Sequence, residues 1–263
     1  MAETIVPVAR KRRLAPLLIS AAIAFVILCG FGTWQLQRLA WKNDLIVTVE
    51  TRIAMTPVVA PAPVDWPGLD FVDADYRPIE VEGVFRHDQE IHVFASLEAP
   101  RGPVGGFGYF ILTPLETTDG WWVIVNRGFV PDDRADAATR PEGQLPGVVT
   151  VIGLLRQPQG RNAFTPANDV VGNVWYTRDP VAIGAELGLP ADRLAPYYID
   201  AEYDPTLAGG LPQGGETTVT FSNNHLQYAV TWYGIAIALV VIVIAMIRRK
   251  PARLDERLPD TLT

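Results

Sequence analysis

A chain of 263 residues has room for one or two globular units, and a 49% hydrophobic content with a mean hydropathy of +0.16 excludes an ordinary cytosolic enzyme. The formal charge of −7 is unevenly divided: residues 1–37 and 226–263 carry 9 Lys or Arg against 4 acids, and residues 38–225 carry 13 against 25. The acidic centre argues against nucleic acid as a partner, because phosphate contacts need a concentrated basic surface.

Residues 14–37 and 226–247 contain no charged side chain. As helices rising about 1.5 Å per residue, both would cross a hydrocarbon core about 30 Å thick, so transmembrane helices are predicted over 14–37 and 223–247. Arg10, Lys11, Arg12 and Arg13 precede the first, and Arg248, Arg249, Lys250 and Arg253 follow the second. The positive-inside rule then puts segments 1–13 and 248–263 in the cytoplasm and the domain over 38–222 outside. A cleaved signal peptide is the competing reading of the first stretch; its length and the want of an A-x-A site favour an uncleaved anchor. Leu28, ahead of Cys29, is too large for a lipoprotein processing site. Cys29 is the only cysteine, so the outer domain has no disulfide and no CxxC or CxxCH pair. It must rest on a packed core, for which its length suffices.

That domain is predicted to be mainly antiparallel β, a sheet or small barrel with one or two short helices. Runs rich in Val, Ile and aromatic residues span 76–85, 90–96, 106–115, 121–130 and 147–155, with weaker ones at 173–178, 196–201 and 216–221. Alternation in Ile79-Glu80-Val81-Glu82 fits a half-buried strand. Thr118-Asp119-Gly120 signals a hairpin turn. A helix is expected over 180–188, capped by Asp179 with Pro180 at its first position. Residues 56–70 and 131–146 read as loops, and Gly102–Gly108 as a flexible approach to a hairpin rather than a dinucleotide fingerprint.

Residues suited to chemistry are few. His87 and His92 bracket Asp88-Gln89-Glu90, but five residues along a strand put the rings on opposite faces, so a metal would need a turn between them. No Ser-His-Asp or Ser-Lys pattern supports an anchored peptidase. His225 opens the second span, with Tyr228, Ala229 and Trp232 on the same helical side. A neutral imidazole there can offer a lone pair to a metal; an interfacial belt of Tyr228, Trp232 and Tyr233 is the plainer alternative. At the outer end of the first span, Trp34 suits the same belt and Arg38 a headgroup anchor. If the outer ends pack together, Trp34, Gln35 and Arg38 face the cleft of His225. Gly234 and Ala238, roughly opposite His225, form a small-x-x-x-small pair expected to pack against a neighbouring helix.

Four motifs carry a resemblance: Gly32-x-Trp34-Gln35-x-x-Arg38-x-x-Trp41-Lys42; Tyr76-Arg77-Pro78-Ile79-x-x-x-Gly83-x-Phe85; Val125-Asn126-Arg127-Gly128-Phe129-Val130-Pro131; and Asn223-Asn224-His225-Leu226-x-Tyr228-Ala229-x-Thr231-Trp232-Tyr233. Together they resemble the Surfeit locus 1 family of cytochrome c oxidase assembly factors over nearly the whole chain. The resemblance implies a non-enzymatic role in placing haem a into the catalytic subunit of a haem–copper oxidase, the haem coming from the membrane-bound haem a synthase. It implies His225 as the iron ligand, with Tyr228 and Trp232 lining the ring, Trp34, Gln35 and Arg38 in the same cofactor site, and Arg38 or Arg127 near the propionates. A cofactor-free scaffold for the maturing subunit is the competing role. The short basic start, with no Arg- and Ser-rich transit sequence ahead of it, suits a bacterial inner membrane.

Overall fold

The computed structural model describes residues 11–217 and 223–248. Residues 1–10 and 249–263, most of the cytoplasmic segments expected at 1–13 and 248–263, and most of the strand expected at 216–221 lie outside them. The chain divides into a helical unit, Met1–Ile46 with Phe221–Thr263, and a β unit, Val47–Thr220.

The helical unit pairs α1 (Lys11–Ile53) with α4 (His225–Arg248), both long and apolar enough to cross a membrane. Helix α1 runs past the uncharged stretch, and its last turns belong to the β unit. There Val49 is buried and Arg52 donates to the Val72 carbonyl at 2.7 Å. Most apolar side chains of the pair point outward, Ile19, Val26, Val230 and Ile237 among them. The α1–α4 contact is therefore narrow, and residue size decides it. Ala229 and Ala236 are the buried residues of α4, and seven-residue spacing puts them on one face. Beside them Tyr233 lies over Gly32, where an added Cβ would come within 2.8 Å of the ring. This corrects the Gly234–Ala238 expectation: Gly234 has open space around it and Ala238 is exposed. The close approach comes from the missing side chain of Gly32 on α1, opposite an aromatic of α4.

The β unit contains the short helix α2 (Phe71–Ala74) and the strands β1 (Val58–Val59), β2 (Pro78–Phe85), β3 (Ile91–Leu97), β4 (Gly106–Thr117), β5 (Trp122–Pro131), β6 (Val148–Arg156), β7 (Val174–Trp175) and β8 (Leu194–Ala201). Strands β2, β6, β8, β5 and β4 close into a ring through a β2–β4 pairing, and β3 with β7 extends from β4. The length of β4 makes this possible. Its first half pairs with β3, Gly106 opposite Leu97, while its end pairs with β2, Leu115 opposite Phe85. One core draws on all five ring strands, with Ile79, Val81, Leu115, Val123, Val151 and Tyr197. A second joins β3, β4, β5, β7 and β8 to α3 (Pro180–Glu186) through Val93, Leu112, Ile124, Trp175, Ile183 and Tyr198. Strand β5, placed between the two, is buried on both faces.

The mainly β architecture and the barrel expectation hold. Asp179 caps α3 by accepting from the Val181 amide at 3.0 Å, with Pro180 in the first turn as predicted. Gly120 turns the β4–β5 hairpin with a φ of +83°. The sheet is mainly antiparallel, as expected, with three parallel pairings, β1–β2, β3–β7 and β5–β8. The region 56–70 also carries β1, not loop alone. The strand expected over 173–178 shortens to Val174–Trp175, and Glu216 and Thr217 are not in a strand. The glycine-rich approach is anchored: Glu216 accepts from the Arg101 and Gly102 amides at 2.9 and 2.8 Å, and Gln213 from that of Val104 at 3.0 Å.

Candidate functional site

A row of polar pairs crosses between α1 and α4. The Asn223 amide donates to Asn43 Oδ1 at 2.8 Å, His225 Nδ1 meets Gln35 Oε1 at 2.7 Å, and Thr33 shares a hydrogen bond with the Tyr233 hydroxyl at 2.9 Å. The Thr33 hydroxyl donates to the Cys29 carbonyl, so Tyr233 supplies the proton to Thr33. Next to this row Phe31 stacks on Trp232, with ring centroids 5.1 Å apart.

His225 is half-buried at the first residue of α4, and its Nε2 makes no hydrogen bond to a described residue. Of its predicted helical neighbours, Ala229 is buried, Trp232 is partly covered and Tyr228 is exposed. The face of His225 is thus the seam between the helices; it does not lie opposite the packing face. Among the predicted site residues, Gln35 and His225 are brought together. Trp34 is exposed and lines an open hollow of about 420 Å³ with Ile27, Gly30 and Phe31. The Arg38 guanidinium lies 3.9 Å over the Trp41 ring. Sequence reasoning did not single out Asn43, Phe31 or Thr33 for the site. Their signal was complementarity: each faces an amide, aromatic or hydroxyl partner in the second-span motif.

The β-unit motifs build a different structure. Buried Arg156 binds Asp75 at 3.0 Å and Asp200 at 2.8 Å, and its guanidinium lies 4.1 Å over the Tyr76 ring. Burial opposes its charge, but Asp200, Tyr198 and Asp75 outweigh it and the pKa is raised. Asn126 donates to Asp200 at 2.7 Å and accepts from the Gly128 amide. Gly128 has a φ of +128° against the Gln213 backbone, a place only glycine fits.

Arg127, expected near propionates, is instead buried within this unit. It donates to the Gly143 carbonyl and to His87 Nδ1, and lies 4.8 Å over Phe85. Burial pushes its pKa down to about 10. His87 Nε2 donates to the Leu145 carbonyl at 3.0 Å, so both ring nitrogens are committed; burial, with Arg127 nearby, lowers its pKa. His92 pairs with Glu90 at 3.1 Å, and Arg140 also binds that carboxylate. Among the described residues no group of three or more potential metal ligands stands together.

Two apolar helices joined through a polar seam, with a closed five-stranded barrel between them in the sequence, define the class: a two-helix protein carrying one β unit. The sequence pattern of the SURF1 family matches residues 22–237. The chain belongs to that family. It is 39% identical over 220 residues to Surfeit locus protein 1 of Homo sapiens, covering 80% of this chain and 70% of that protein. The Mus musculus protein of the same name is 38% identical over 232 residues, covering 84% and 71%. That of Rattus norvegicus is 36% identical over 219 residues, covering 80% and 68%.

Proposed function

We propose that the protein is a membrane-anchored, non-enzymatic assembly factor for a haem–copper cytochrome c oxidase, and that its helix pair carries haem a as cargo on His225. In this reading a haem a synthase loads the site and the oxidase catalytic subunit empties it. Both ends of the chain are cytoplasmic and the β unit is periplasmic, on the outer side of a bacterial inner membrane, as the basic clusters flanking the spans suggest. One observation carries the reading: His225 is the histidine whose partner occupies Nδ1 and leaves Nε2 to a ligand, at an edge furnished with the Phe31–Trp232 stack. His87, by contrast, has no nitrogen to give, and His92, which spends Nε2 on Glu90 and keeps Nδ1, belongs to the β unit. Apolar flanks on both helices suit the hydrophobic body of a porphyrin. A single side-chain ligand also suits cargo that must leave, because one coordinate bond exchanges more readily than two.

The test is the visible spectrum of the full chain purified in detergent from cells that also express haem a synthase. The intact protein should carry the haem a bands and His225→Ala should lose most of them. Equal occupancy in the two would reject the ligand. A spectrum without haem in the intact protein would leave the β unit as a cofactor-free scaffold.

A further inference from the structure

We propose that Gln35 is a positioning residue: its side-chain oxygen holds the proton of His225 on Nδ1 and makes Nε2 the ligating atom. An amide oxygen only accepts hydrogen bonds, so the 2.7 Å contact between Gln35 Oε1 and His225 Nδ1 requires the proton on Nδ1. The other nitrogen then keeps its lone pair. In water the tautomers of an exposed histidine interconvert freely. In the seam, exchanging them with Gln35 held as it stands would set two lone pairs against each other at 2.7 Å; the other tautomer fits only if the amide turns over to present its nitrogen to Nδ1.

The surroundings fix Gln35 where this selection can operate. Asn43–Asn223 on one side and Thr33–Tyr233 on the other set the register of the helices, and Gly32 lets them approach. His87 supplies an internal contrast. There a carbonyl at Nε2 and a guanidinium at Nδ1 impose the opposite tautomer and use up its lone pair. The same elementary rule thus makes one ring inert and leaves the other available.

The partner type matters as well as its presence. Histidines that bind metals usually donate their other N–H to a carbonyl or carboxylate, which orients the ring and raises its basicity. A neutral amide polarises the ring less than a carboxylate would. Gln35 therefore gives orientation with a weaker iron–nitrogen bond, as temporary cargo needs. This last step rests on the haem-carrier reading; the tautomer does not.

The experiment uses the full chain in detergent with ¹⁵N-labelled histidine and no cargo. The chain has three histidines, and the His225 signal is assigned by its loss in His225→Ala. The intact protein should show a protonated Nδ1 and a bare Nε2. Gln35→Leu should mix the tautomers, and Gln35→Glu should keep the proton on Nδ1. Loaded with haem a, Gln35→Leu should retain it about 10- to 100-fold less tightly. Gln35→Glu should restore retention and raise the iron–histidine stretching frequency in resonance Raman spectra. An unchanged nitrogen spectrum in Gln35→Leu overturns the proposal. Should that variant fail to accumulate, an iron–histidine frequency in Gln35→Glu equal to that of the intact protein overturns it instead. If His225→Ala keeps its haem, the carrier reading fails, and the cargo-free nitrogen spectrum still decides the role of Gln35.

Discussion

In the β unit His87 commits both ring nitrogens to its own chain, whereas in the helix pair His225 commits one. The contrast extends beyond the histidines. Arg156, Asp75, Asp200 and Asn126 pair with one another inside the β unit; Glu90 takes both His92 and Arg140 on one oxygen, while its other oxygen and Arg140 Nη1 have no partner among the described residues. Among the described residues, the helix pair is joined by a short row of polar pairs along a largely apolar seam. A buried polar network with every member paired rigidifies a fold, and one missing a partner is costly. The difference suits a stabilising part for the motifs around Tyr76 and Asn126, and the ligand role proposed above for the motif that opens α4.

The largest effect should come from breaking the β-unit network. Asp200→Leu strips Arg156 of one carboxylate and leaves the Asn126 amide without its acceptor. Arg156 keeps Asp75, so the loss is of two buried hydrogen bonds, and each donor left unpaired costs about 1–3 kcal/mol. Denaturant unfolding of the full chain, followed by tryptophan fluorescence, should show that loss. Haem a retained per folded molecule should not change. A variant that stays fully stable but releases its haem would show that the two regions do not divide the work as proposed.

A pH titration sharpens the contrast from within the β unit. The folded pKa of His87 lies below its ordinary 6.5, chiefly through burial. The unfolded chain therefore takes up that proton first as pH falls. The contribution of His87 is complete above pH 6.5 and is lost between there and its folded pKa. Glu90 enters later. Burial alone would raise its pKa, but His92 and Arg140 outweigh that and hold it below 4.5. Its contribution is present above pH 4.5 and disappears as pH falls through the folded value. Thermal midpoints should decline in two acid steps, and His87→Gln should remove the upper one. A His87→Gln protein with an unchanged upper step would assign that step to another group.

Much of this architecture was legible in the residues because it is written in local period. Alternation in β2, burying Ile79, Val81 and Phe85 while exposing Glu80 and Glu82, follows from the pleat. The Asp179 cap and the Gly120 turn are equally local. Ring closure is not, since it depends on β4 being long enough to serve two partners along one edge. The link of His87 to Arg127 spans 40 positions, and that of Gln35 to His225 spans 190. The packing face of α4 was misjudged for a related reason. Small residues occur on several sides of that helix, and Gly32 on α1 decides which side is used. That His225, Ala229 and Trp232 share one side of α4 could be read from helical spacing; that this side is the contact with α1 could not.

The smallest effect tests whether the polar row acts as separate contacts or as one unit. Thr33→Val removes the acceptor of the Tyr233 hydroxyl and keeps the shape of the side chain; Tyr233→Phe removes the donor. Hydrogen bonds between helices in apolar surroundings average about 0.6 kcal/mol in double-mutant cycles, since the separated helices also find partners. A cycle on these two substitutions, read from unfolding in detergent, should give coupling of about that size. The His225 tautomer should persist in each variant, because the Gln35 contact has Asn43–Asn223 and the Gly32 approach to hold it. Coupling several times larger, or loss of the Nδ1 proton on removal of Thr33, would mean that the pairs are cooperative. The availability of Nε2 would then belong to the whole seam rather than to Gln35 alone.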